Sequence, residues 1–369
     1  MMDWCAQLFG LDDGFRFDRS EKGGGCIQGT ASEAVVAAMV ASRRRCTQRG
    51  IDRSKLTVYT SSQAHSSVIK AAMVCGFADD AEDRSRVRVI DVDSDLRMDI
   101  GALERAMIED LDAGLVPMMV IATVGTTSTG AVDPVLRVTD VISRLGENDA
   151  WLHVDAAWAG AAAVCEEFRG MMEGVDRADS VCINPHKWLL TNFDCDLFWV
   201  RDRDVLVDSM SITPAYLRDK ASDAGEVVDY RDWHVALGRR MRALKLWLVI
   251  RCFGIEGLQA HIRRHVDLAK RVEHWVDSSN RVEMVCERML GLVCFAVIGE
   301  DSRTAQLVEE VNRRGKVMIT HSRVPIGEEC AMRSIARVSV GTPAVGEGDI
   351  EVLIEEIEAV LDGLGVQGT

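Results

Sequence analysis

Short β-branched runs alternate with longer helical segments between Leu56 and Val200. This pattern predicts an α/β protein with a mostly parallel sheet in its large domain, followed by a small α+β C-terminal domain. Two further observations agree. At 369 residues the chain exceeds one ordinary core and suits a large and a small domain, divided here as residues 1–255 and 256–369. Its 47% apolar content supplies a sizeable core and excludes the low-hydrophobicity signature of disorder.

Taken in order, the expected strands cover residues 56–59, 87–92, 118–122, 151–154, 180–183 and 197–200. Between them, residues 67–74, 100–111 and 135–145 carry apolar side chains at helical spacing. Such βαβ units require a parallel sheet with helices on both faces, and ligands then sit at the carboxyl ends of the strands. Residues just after strands are therefore the ones to read for chemistry. From Pro214 to Asp229 the chain is polar and without periodicity, which predicts a mobile loop. Helices at 233–252 and 256–276 follow, then strands at 284–285 and 292–297, a helix at 304–313, a strand at 336–340 and a helix at 350–361.

Charge narrows the function classes. The net charge of −15 argues against a nucleic-acid or membrane-surface binder, either of which would carry a basic stripe. The longest apolar stretch, from Leu115 to Val124, is too short to cross a bilayer and contains Pro117. The start, Met1-Met2-Asp3-Trp4-Cys5, has no basic region followed by an apolar one, so no signal peptide is expected. Eleven cysteines with no C-x-x-C pair predict reduced thiols in a cytoplasmic protein, with neither a disulfide framework nor a metal site.

Three segments carry chemistry. Gly23-Gly24-Gly25-Cys26-Ile27-Gln28-Gly29 reads as a glycine-rich turn running into a helix, with Thr30 and Glu33 spaced as a capping box. Amides at such a helix start form either an ordinary capped helix or a phosphate cradle. In Trp151-Leu152-His153-Val154-Asp155-Ala156-Ala157, a carboxylate ends an apolar strand and small residues follow, leaving space for a flat ligand. It serves either as a helix cap or as partner to a cationic ring nitrogen. In Asn184-Pro185-His186-Lys187-Trp188, one of only eight lysines follows a strand predicted to be buried. A desolvated lysine becomes a nucleophilic amine able to form a Schiff base, whereas a snorkelling surface lysine does not. Together the three supply the handles that pyridoxal phosphate requires: a phosphate cradle, an acid for its ring nitrogen and an amine for its aldehyde.

Around these segments the chain resembles the group II pyridoxal-phosphate decarboxylases, specifically the aromatic L-amino-acid decarboxylase branch. The resemblance rests on Gln28-Gly29-Thr30-Ala31-Ser32-Glu33, Gln63-Ala64-His65-Ser66-Ser67, Ala122-Thr123-Val124-Gly125-Thr126-Thr127 and His153-Val154-Asp155-Ala156-Ala157. It continues through Asn184-Pro185-His186-Lys187-Trp188, Asn192-Phe193-Asp194-Cys195, Leu237-Gly238-Arg239-Arg240 and Gly291-Leu292-Val293-Cys294-Phe295.

The resemblance implies a fold type I pyridoxal-phosphate-dependent transferase architecture, a homodimer, and release of an aryl alkyl amine and CO₂ from an aromatic amino acid. By position, Lys187 would hold the cofactor covalently, Asp155 would pair with its ring nitrogen and His65 would stack on its face. Ala31 and Ser32 amides would hold the phosphate with Asn184 and His186, while Thr127 and Ala157 would line the cofactor. Tyr216 matches the family's catalytic tyrosine, and Gly291 a substrate-pocket position where a small residue leaves room for an indole. Family members carry a long segment ahead of the Met-Asp-Trp motif that forms dimer helices and part of the pocket. Starting at that motif, this chain is expected to be poorly soluble or weakly active. Two alternatives stand beside decarboxylation: an aromatic aldehyde synthase of the same family, and an inactive truncated subunit that only binds cofactor.

Overall fold

The computed structural model describes residues 1–145, 150–212, 227–327 and 331–366. Seven strands form the larger sheet: β1 (Gly24–Gln28), β2 (Leu56–Ser61), β3 (Val87–Ile90), β4 (Val116–Thr123), β5 (Trp151–Asp155), β6 (Ser180–Ile183) and β7 (Asp196–Val200). Their spatial order is β1-β7-β6-β5-β4-β2-β3. From β3 through β6 the neighbours are parallel, so their carboxyl ends share one edge. β7 joins β6 antiparallel, and β1 joins β7 antiparallel, making the sheet mixed.

Most of these strands are buried on both faces, which is why they read as continuous apolar runs rather than alternating ones. On one face lie α1 (Met2–Phe9), α4 (Ile100–Asp112) and α5 (Val135–Leu145). On the other lie α2 (Ala31–Gln48) and α3 (Ser67–Val74). Ala34, Ala37, Ala38 and Ala41 are buried, and these small side chains let α2 seat closely on the sheet. The short helices α6 (Pro185–Trp188) and α7 (Arg203–Met210) flank β7 in sequence.

The glycine-rich segment is not a turn. Gly24–Gln28 is β1, fully buried, because its glycines admit neighbours that a side chain would displace. A Cβ on Gly25 would lie 2.7 Å from the Trp199 ring and 2.8 Å from the Phe198 carbonyl. The capping box also differs. Thr30 is the N-cap of α2 but its side chain makes no capping bond, and the Glu33 carboxylate instead accepts the Gly29 N–H at 2.7 Å.

Beyond the sheet, the expected helix at 233–252 starts later. Tyr230–Trp233 is a single 3₁₀ turn, and α8 (Arg242–Ser278) follows. The two helices expected on either side of residue 255 run as one element interrupted at Gly254, whose φ of 64° glycine adopts without strain. A second, antiparallel sheet has the order β10-β11-β9-β8, built from β8 (Val282–Met284), β9 (Leu292–Val297), β10 (Thr320–Ile326) and β11 (Ala331–Ser339). α9 (Asp301–Arg314) and α10 (Glu347–Gly363) cover it with the second half of α8. β10 escapes a sequence reading because it is an edge strand, polar and containing Pro325.

Candidate active site

Parallel pairing brings the ends of β5 and β6 together, and their following loops are tied backbone to backbone. The Asn184 N–H donates to the Ala157 carbonyl at 3.0 Å, and the Lys187 N–H donates to the Asn184 carbonyl at 2.9 Å. Asp155, the last residue of β5, is buried, and its Oδ1 accepts the Ala157 N–H at 3.0 Å. The Cys182 thiol lies 3.8 Å from the same oxygen. Two residues earlier on the same face, His153 is fully buried with Nδ1 2.9 Å from Ser180 Oγ. Burial pushes that imidazole down to about 4, so the group behind Asp155 is neutral at neutral pH.

Lys187 departs from expectation in one respect. It is exposed at the mouth of a cleft, not desolvated in the core. The cause is local: Pro185 starts a single helical turn whose inward side is taken by Trp188 and Leu189, both buried. The lysine therefore faces outward over the sheet edge. His65, placed by the loop after β2, is also exposed. Its Nδ1 accepts the Ser67 N–H at 3.1 Å, leaving Nε2 as the protonated nitrogen. Partial burial and then the positive charge of Lys187 lower its pKa, while Asp155 acts in the opposite direction. The structure thus brings His65, Asp155 and Lys187 within electrostatic reach of one another.

Ala31 and Ser32 are the first two residues of α2, where amide N–H groups have no partner inside the helix. Asn184 is buried and its Oδ1 has no hydrogen-bond partner among the described residues. His186 turns its Nδ1 toward the Cys195 carbonyl at 2.8 Å and the Cys195 N–H at 2.9 Å, and partial burial lowers its pKa. Ala157 is buried beside Asp155, and Thr127 is exposed on the cleft. Tyr216 lies outside the described residues.

The cleft has a volume of about 260 Å³ and is lined by Thr127, Trp158, Lys187, Trp188, Leu292 and Arg337 among others. The Trp158 and Trp188 indoles stack with centroids 5.2 Å apart. Trp188 Nε1–H donates to His265 Nδ1 at 2.9 Å, which fixes the orientation of the ring beside Lys187. His265 is fully buried, and burial together with neighbouring His261 pushes it down to about 4, keeping it an acceptor. Arg337 donates to the Ser128 carbonyl and Thr320 hydroxyl, each at 2.7 Å, and to the Thr127 carbonyl. It thereby ties the second sheet to the cleft wall. Sequence reasoning missed Trp158 as a lining residue, and His265 and Arg337 altogether. His265 sits in an amphipathic helix and Arg337 in a strand, with no local motif to mark either.

Gly291 does not open onto free space. A Cβ there would meet the Val340 carbonyl at 2.8 Å and the Trp188 ring at 3.1 Å. Its smallness serves the seating of Trp188.

Pyridoxal phosphate fits this donor set on the structure's own terms. An exposed amine, a buried carboxylate and amides without a partner inside their long helix lie at one sheet edge. Comparison with known proteins agrees. The family described as pyridoxal-dependent decarboxylase conserved domain matches residues 1–298. Tryptophan decarboxylase 2 of Oryza sativa subsp. japonica is 39% identical over 360 residues, covering 95% of this chain and 70% of that protein. Phenylacetaldehyde synthase of Arabidopsis thaliana is 38% identical over 361 residues, covering 95% and 71%. The crystal structure of Oryza sativa TDC with PLP and tryptamine superimposes with a TM-score of 0.90 at 40% identity, covering 98% of this chain and 75% of that one. A match spanning most of the sequence and nearly all of the fold means that this chain belongs to the pyridoxal-dependent decarboxylase family.

Proposed function

We propose that this chain is a lyase that converts an aromatic L-amino acid into the corresponding aryl alkyl amine and CO₂. The observation that carries this is a cleft lined by Lys187 and the stacked Trp158 and Trp188 indoles, with the loop that carries Lys187 tied to the end of the strand that closes on Asp155. Apolar aromatic walls suit an aromatic side chain, and offset stacking contributes about 0.5–1.5 kcal/mol per ring pair. The relatives named as tryptophan decarboxylase and the structure titled with tryptamine support an aromatic substrate.

Each residue has a distinct task. Lys187 would hold the cofactor covalently through its Nζ. Asp155 keeps the ring nitrogen protonated, and neutral His153 behind it leaves that carboxylate the only charge on its strand face. His65 covers the ring, with Nε2–H directed away from Ser67. The Ala31 and Ser32 amides, Asn184 and His186 bind the phosphate, and Thr127 and Ala157 line the ring. Tyr216 delivers the proton to Cα, and Gly291 shapes the pocket through Trp188. When bound, pyridoxal phosphate supplies the electron sink for cleavage of the Cα–carboxylate bond.

Three wider assignments belong to the same reading. The chain divides at residue 255, next to the helix break at Gly254. It works as a homodimer, supported by the exposed apolar side chains of Val235, Leu237, Met241 and Leu248. It resides in the cytoplasm, supported by eleven cysteines without disulfide spacing.

Borohydride reduction of the cofactor-loaded protein tests the central assignment. Pyridoxyl is expected on the peptide containing Lys187, and labelling of another lysine overturns it. The same preparation is then assayed with dopa, tyrosine, tryptophan and 5-hydroxytryptophan, with amine and peroxide measured side by side. Amine without peroxide is the expected result. The similarity to a phenylacetaldehyde synthase favours a second reading, aldehyde formation, for which peroxide would appear in step with aldehyde. Labelled Lys187 without turnover would identify a subunit that only binds cofactor.

A further inference from the structure

Three cations around the start of α8 reach two different parts of the candidate site. Arg239, ahead of the helix, donates to the Ile27 carbonyl of β1 at 3.1 Å. Arg242, the first residue of α8, makes a bidentate pair with Asp194: Nε donates to Oδ1 at 3.1 Å and Nη2 to Oδ2 at 2.9 Å. Lys245 donates to the Asn192 carbonyl at 2.9 Å. Asp194 lies in the stretch between α6 and β7. The residue after it, Cys195, brackets His186 Nδ1 with its N–H at 2.9 Å and its carbonyl at 2.8 Å. That engagement leaves Nε2 as the His186 nitrogen that can meet a ligand.

Asp194 also touches the other side of the site. A Cβ on Gly29 would lie 3.1 Å from Asp194 Oδ2 and 2.8 Å from Glu33 Oε2, so two carboxylates close on the short link between β1 and α2. Glu33 is engaged with the Gly29 N–H at 2.7 Å. Asp194 is held chiefly by Arg242, with the Lys245 ammonium at 3.9 Å. Hydrogen bonding to Arg242 pushes the Asp194 carboxyl down to about 2, so the pair is ionised at any working pH. Glu33 lies within electrostatic reach of the same guanidinium. Two like charges beside one glycine would repel each other without it. Arg242, Ser32 and Glu33 line one cavity of about 460 Å³. The Arg242 and Asp194 side chains are only 15% and 21% exposed, which sets this pair apart from an open surface ion pair.

We propose that Arg242 is a positioning residue for the cofactor phosphate: by holding Asp194 against Gly29, it locks the stretch after α6, and His186 with it, to the start of α2. This rests on the cofactor assignment above. The Ala31 and Ser32 amides come from one side of the tie and His186 from the other, so Arg242 sets their spacing without touching the ligand. Arginine suits the task because its planar fork fixes both carboxylate oxygens at once, which a lysine ammonium does not.

The test is equilibrium binding to the full chain freed of cofactor, followed by fluorescence, with pyridoxal 5′-phosphate and with pyridoxal, which lacks the phosphate. Arg242→Gln should weaken binding of the phosphate ester roughly tenfold and leave pyridoxal within about twofold of wild type. Arg242→Lys keeps the charge and loses the fork, and should fall between wild type and Arg242→Gln. Asp194→Asn should match Arg242→Gln, and the double variant should be no weaker than either single, because all three break one tie. Should Arg242→Gln not fold, Asp194→Asn carries the same contrast between the two ligands. Equal losses for pyridoxal and its phosphate would show a general structural role, and losses that multiply in the double variant would show two separate roles. Unchanged binding would show a surface pair; each of these results overturns the proposal. Failure of the cofactor reading would appear in the wild type, as no binding or as borohydride label away from Lys187, and would take the proposal with it. Failure of the proposal alone appears only in the variants.

Discussion

At the scale of single residues, the site is governed by which groups are held neutral. His153 is buried directly behind Asp155, and its pKa of about 4 compares with 6.5 for the free group. The folded state therefore binds fewer protons than the unfolded chain between those values. The resulting stability is fully present above about pH 6.5 and is lost as pH falls toward 4. The full difference is on the order of 3 kcal/mol. Urea unfolding of wild type and His153→Gln at pH 7 and pH 4.5 measures it. The variant should lose markedly less stability on acidification, and an equal loss in both would assign the acid sensitivity elsewhere. A charged imidazole beside Asp155 would also compete with the cofactor ring for that carboxylate, so the same neutrality serves stability and function.

At the scale of elements, β1 is the strand on which the phosphate end depends. It has no pairing partner beyond β7, and it leads directly into α2. Gly25 is held between Met2 and Trp199, each within 2.7 Å of where a Cβ would be. Gly25→Ala should therefore push β1 away from β7, at a cost of about 1–3 kcal/mol for overpacking a filled site. Because the start of α2 moves with it, cofactor affinity should fall together with the melting midpoint. A variant that melts earlier yet binds cofactor normally would separate β1 from the site. Helix α2 shows a related economy: its alanine face brings the helix, and hence its first-turn amides, close to the sheet.

At the scale of the molecule, the second sheet is bonded to the cleft wall and several large apolar side chains are left exposed. Arg337, Ser322 and Cys294 of the second sheet all bond Ser128, so the cleft wall is held from both sides. Val235 is 86% exposed and Met241 78%, apolar surface that the proposed dimer would cover. Light scattering should show a dimer, and the double variant Leu237→Glu with Leu248→Glu should shift it to monomer without altering the circular dichroism of the fold. A dimer that persists in this variant would move the interface to another face.

Much of this protein was legible in the sequence, for reasons that are local. Strands buried on both faces read as apolar runs, and chemistry placed just after strands reads as motifs, so Asp155, Lys187, Asn184 and the start of α2 were all legible. Other features depended on partners distant in the chain. Gly24 and Gly25 signal a turn until Trp199 and Trp233 occupy the space that side chains would need. Thr30 and Glu33 have capping spacing, yet the Gly29 amide takes the carboxylate. Lys187 follows a buried strand but faces outward, because Trp188 and Leu189 claim the interior. Most of all, Asp196 is one acid in an ordinary strand until antiparallel pairing seals it opposite Gln28, where burial raises its pKa well above the usual carboxylate range. Periodicity and local chemistry act over a few residues and are written in order along the chain, whereas desolvation and close approach depend on neighbours that only folding supplies.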